Sequence, residues 1–61
     1  MKYKFRLTIE EVKCNNYFNI EFITETNSLA DAYIKCYEYI NNNWCGPDAW
    51  VNSVTYVGKV K

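Results

Sequence analysis

The chain of 61 residues contains no histidine. Histidine is the side chain whose ordinary pKa lies nearest neutrality, so the commonest general base and the commonest nitrogen ligand for zinc are both missing. Glycine occurs twice, at Gly46 and Gly58, too sparsely for a glycine-rich loop that cradles phosphate. Net charge is also lacking: seven basic and seven acidic residues cancel. That removes the long-range field that draws basic proteins to nucleic acid or anionic membranes. No apolar run approaches the roughly 20 residues of a membrane span. The opening "MKYKFRLTIEEV" alternates charged with apolar residues, unlike the continuous apolar stretch of a secretory signal. The expected location is the cytoplasm, with no membrane contact.

Cys14, Cys36 and Cys45 are odd in number and show no C-x-x-C spacing, which argues for reduced thiols rather than a disulfide framework or metal site. Cys36 falls in the middle of a helical pattern on its apolar stripe, where a thiol packs as a small hydrophobe. Cys14 and Cys45 fall in loops and read as incidental free thiols. The adjacent carboxylates Glu10 and Glu11 point to opposite faces of a strand, so they do not form a catalytic pair. Neither catalysis nor a cofactor is expected.

What the chain does have is material for a core, with 49% apolar residues and 18% aromatic. Tyr3, Phe5, Leu7 and Ile9 alternate with Lys4, Arg6, Thr8 and Glu10, the period of a strand with one buried face. Paired asparagines follow in "EVKCNN", and "YFNIEFITE" alternates again with Phe18, Ile20 and Phe22 on one side, so the two strands form a hairpin. In "TNSLADAYIKCYEYINNN", Asn27 or Ser28 is placed to cap a helix, and Asp31 complements its positive end. Leu29, Tyr33, Cys36 and Ile40 make the buried stripe, with Ala32, Tyr37 and Tyr39 at its edges and Ile34 among polar residues. Three asparagines and Gly46-Pro47 are expected to stop the helix. "WVNSVTYVGKV" reads as a third strand with Val54 and Tyr56 on one face. The predicted fold is α+β: one ββαβ domain over residues 1–61, a three-stranded antiparallel sheet with strand one central and the helix on one face.

The face away from the helix is the candidate binding surface. Strand one presents Lys2, Lys4 and Arg6 there, and an antiparallel third strand is expected to bring Lys59 and Lys61 alongside. Across the hairpin stand Asn19, Glu21, Ile23 and Glu25, whose carboxylates offset the basic residues. Tyr17, Ile23 and Val57 add apolar area, a mixture that suits a protein partner. In "NNNWCGPDAW", Trp44 and Trp50 flank the loop between helix and third strand, where a tryptophan at each end closes the rim of a thin core or anchors a partner. The partner-binding candidates are Lys4, Arg6, Tyr17, Glu21, Ile23, Trp44 and Lys59.

The run "EFITETNSLADAYIKCYEY" followed by "VNSVTYVGKV" resembles small phage-encoded ββαβ inhibitor proteins, namely compact anti-CRISPR proteins and phage inhibitors of bacterial RNA polymerase. The likeness covers residues 18–60 and is one of pattern. It implies a phage or mobile-element protein in a bacterial cell that blocks a host protein or ribonucleoprotein complex without chemistry. Phe, Tyr, Met, Ile, Asn and Lys fill 29 of the 61 positions, a bias that suits AT-rich coding. The polymerase inhibitors look as though they use a basic last strand, where this chain has Tyr56 and Gly58, so a defence effector stands ahead of the polymerase as target. A single-stranded nucleic-acid module and a homodimer joined at a sheet edge are the alternatives.

Overall fold

The computed structural model describes residues 1–44 and 46–60. The elements run β1 (Lys2–Glu11), β2 (Asn16–Glu25), α1 (Leu29–Asn43) and β3 (Ala49–Val60). They build one antiparallel sheet in the order β2-β1-β3, with the helix on one side. The expected ββαβ arrangement, with β1 central, is present.

The β1–β2 turn depends on Asn15, whose φ of 52° is tolerated by asparagine better than by most residues. The Asn15 amide donates to the Val12 carbonyl at 3.3 Å, and the Val12 amide donates to the Asp48 carbonyl at 3.0 Å, tying this turn to the start of β3. At the other end of the hairpin, the Met1 amino group donates to the Thr26 carbonyl at 3.1 Å, and the Thr26 amide returns a bond at 3.0 Å. Val60 lies beside Lys2, so the two ends of the described chain meet at one corner of the sheet.

The helix starts where the sequence places a cap. Ser28 has extended backbone angles, and its hydroxyl oxygen accepts the Asp31 amide at 3.2 Å, satisfying one of the free first-turn donors. The three asparagines lie inside the last turn rather than beyond it. Asn43 donates its side-chain amide to the Tyr39 carbonyl at 2.9 Å, and the helix closes through the Trp44 amide on the Ile40 carbonyl at 2.7 Å.

Tyr3, Phe5, Leu7 and Ile9 of β1 are buried together with Ala32 and Cys36 of the helix. The helix side that meets the sheet most closely thus carries two small side chains, Ala32 and Cys36, while larger ones pack around them. Tyr39 stacks on Phe22 of β2 at 4.8 Å, and Tyr33 meets Phe5 edge-on at 5.0 Å. The expected stripe is rotated toward Ala32 and Tyr39, which leaves Tyr37 half-exposed. The cause is tertiary: α1 lies over β2 and β1 and away from β3. Burial in this low-dielectric layer pushes the Cys36 thiol above its ordinary pKa.

Candidate interaction surface

In an antiparallel sheet, directly opposed residues share a face. Starting from Lys4 and Arg6, the register therefore maps the uncovered face row by row. Arg6 lies between Glu21 and Thr55, and Lys4 between Ile23 and Gly58. Glu10 lies between Tyr17 and Trp50. Thr8 donates its hydroxyl to the Asn19 side-chain oxygen at 2.8 Å in the row that separates them. The Lys4 ammonium sits 3.5 Å from a Glu21 carboxylate oxygen, a diagonal contact linking two rows. Five of the seven candidates, Lys4, Arg6, Tyr17, Glu21 and Ile23, share this face. Tyr17 is 55% exposed and Ile23 49%. Opposite charges paired across strands, with exposed apolar residues at the margins, give a surface of local contrasts and little net potential.

The other two candidates lie elsewhere. Trp44 closes the helix end on the covered face. It is half-buried against the core, edge-on to Phe18 at 5.9 Å, and donates its ring N–H to the Tyr39 hydroxyl at 3.4 Å. Lys59 is opposite Tyr3, a covered-face position, so it does not extend the basic patch of Lys2, Lys4 and Arg6. The physical reason is a β-bulge: Lys4 pairs with Gly58 but Phe5 with Tyr56, leaving Val57 as an extra residue that inverts the alternation beyond it. The expected placement of Lys61 in the patch, and the loop position of Cys45, lie outside the described residues.

A second bulge, at Asn52, brings in a residue that periodicity alone did not assign. It places Trp50 opposite Glu10, in the row with Tyr17. Trp50 is 41% exposed and donates its ring N–H to the Asn52 side-chain oxygen at 3.1 Å. Of the two tryptophans, then, Trp44 closes the core rim and Trp50 does not. Between them lies an open cleft of about 510 Å³ lined by Ile40, Trp44, Gly46, Pro47, Trp50 and Val51.

Among the described residues, no cluster of three or more cysteine, aspartate and glutamate side chains is positioned to hold a metal. No helix among them is long and apolar enough to cross a membrane. No family model, characterised protein or solved structure matches the chain.

Proposed function

We propose that this chain acts by binding rather than by chemistry, as a phage or mobile-element inhibitor that blocks a host protein or ribonucleoprotein complex of the defence-effector kind. The observation that carries the binding role is the uncovered sheet face. Lys4, Arg6 and Glu21 stand there in a fixed charge pattern beside exposed Tyr17 and Ile23, with the helix on the opposite side. Charge contrast of this type fixes the orientation of a docked protein, and the aromatic and aliphatic margins supply apolar area. Trp50 extends that area along the edge of the sheet. The inhibitory role and the phage origin rest on the pattern of strand, polar cap, helix and returning strand over residues 18–60.

Nucleic acid fits the surface less well. With Lys59 on the other face, the basic residues at that end number three among the described residues, Lys2, Lys4 and Arg6, and two of them lie directly opposite Glu25 and Glu21. Binding that depends on phosphate neutralisation needs an excess of positive charge there.

The test is affinity capture from bacterial lysate using the wild-type chain and a Lys4→Glu, Arg6→Glu double variant, each checked for folding by circular dichroism. A protein complex retained by the wild type and lost by the variant supports the reading. Equal capture by both rules out the sheet face as the docking surface.

A further inference from the structure

We propose that the free edge of β3 pairs antiparallel with the same edge of a second copy, with Thr55 on the two-fold axis, giving a continuous six-stranded sheet with both helices on one side. The chemistry of the two sheet edges motivates this. β2 and β3 are both edge strands. The β2 edge carries Glu21 and Glu25, charges of the kind that discourage strand addition. The stretch Trp50–Val57, "WVNSVTYV", holds no charge and no proline and is rich in β-branched and aromatic residues. It is the edge prepared to accept a strand.

The choice of a second copy rests on self-complementarity. Around a two-fold at Thr55, Val54 faces Tyr56 of the second copy, and both are covered-face positions opposite Leu7 and Phe5. Val51 faces Lys59, again both on the covered side, and Trp50 faces Val60, both on the open side. Apart from the bulge residues Asn52 and Val57, every pair shares a face. Shifting the register by one residue breaks this match, because alternation along a strand has period two. The two Lys59 side chains fall at opposite ends of the pairing, roughly 25 Å apart at the rise of an extended strand, so no like charges oppose each other.

A second feature points the same way. Tyr33 faces β3, with its ring 6.4 Å from that of Tyr56. Tyr37 lies about 40° further round the helix on that flank beside Tyr33, and it is 52% exposed. Because α1 leans away from β3, the paired strands would floor an apolar trough bordered by these residues from both copies.

The purified chain alone tests the proposal, so the outcome is independent of any host target. In sedimentation equilibrium at about 100 μM, the expected mass is twice the 7.3 kDa of one chain. Thr55→Lys, which places like charges on the axis, should return the mass to one chain, whereas Asn19→Lys on the exposed face of β2 should leave it doubled. As a check that survives poor folding of the lysine variant, Thr55→Cys in a Cys14→Ser, Cys45→Ser background should oxidise to a covalent dimer. Opposed strand residues lie within disulfide reach, and Asn19→Cys in the same background should remain largely uncrosslinked. A wild type of single-chain mass, a doubled mass retained by a folded Thr55→Lys variant, or cross-linking of the Asn19→Cys variant in preference to the Thr55→Cys variant would each overturn the proposal.

Discussion

Replacing Phe5 separates a chain held by one thin core from one with reserves elsewhere. Its side chain is fully buried at the centre of β1, with ring centroids 5.0 Å from Tyr33, 5.5 Å from Tyr56 and 6.5 Å from Phe22. It therefore joins the helix to all three strands. Truncation to alanine costs about 3–5 kcal/mol in cores of this type. A domain of this size holds only about 3–5 kcal/mol in total. Phe5→Ala should accordingly be largely unfolded at 25 °C without denaturant. Phe5→Leu retains most of the apolar volume but loses the aromatic pairs, worth about 0.5–1.5 kcal/mol each. A net cost of about 2 kcal/mol leaves it folded. With a urea slope of about 1 kcal/mol/M, its midpoint should fall by about 2 M. Urea titration followed by far-UV circular dichroism and tryptophan fluorescence measures both, because Trp44 packs on Phe18 at the core rim. A folded Phe5→Ala whose midpoint lies within about 0.5 M of wild type would refute the idea that a single layer centred on Phe5 supports the fold.

Three further substitutions probe individual links. Ser28→Ala removes the acceptor for the Asp31 amide and should cost about 1 kcal/mol in urea unfolding, with Ser28→Asp close to wild type. Gly58 has φ +151°, a conformation strained for any residue with a Cβ. Gly58→Ala should therefore cost about 2 kcal/mol although nothing lies within 4 Å of the added carbon, and a neutral effect would show that the bulge relaxes freely. Burial holds the Cys36 thiol protonated to higher pH than in the unfolded chain, so its contribution is intact below the ordinary value of 9.0 and is lost as pH rises through the elevated folded value. Wild-type melting temperature should then fall more between pH 8 and pH 10 than that of Cys36→Ala, and equal slopes would exclude this linkage.

The alternation in β1 and β2 was legible because each strand has one face in the core, so Tyr3, Phe5, Leu7 and Ile9 carry the period directly. Residue type and position announce a cap at Asn27 or Ser28, of which the fold uses Ser28, and the Lys4, Arg6 and Glu21 arrangement follows from strand parity. Periodicity misplaces Lys59 and leaves Trp50 unassigned because bulges at Val57 and Asn52 change the count along β3, and an extra residue is invisible to it. Gly58 carried a signal that was available, since a glycine inside a strand often marks a bulge. The exposure of Tyr37 had no local signal. It depends on which strands the helix leans against, and Tyr39 on Phe22 decides that through packing.

Whether the uncovered side of the sheet is the working surface can be settled by side-chain footprinting of the complex formed with a captured target. Oxidative labelling of the free and bound chain would read Tyr17, Ile23 and Trp50 on or beside that side, and Ile34 and Tyr37 on the helix, all of which are exposed in the free chain. The expected result is protection of Tyr17 and Ile23 on binding with Ile34 and Tyr37 still labelled. Protection confined to the helix residues, with Tyr17 and Ile23 labelled as before, would contradict it.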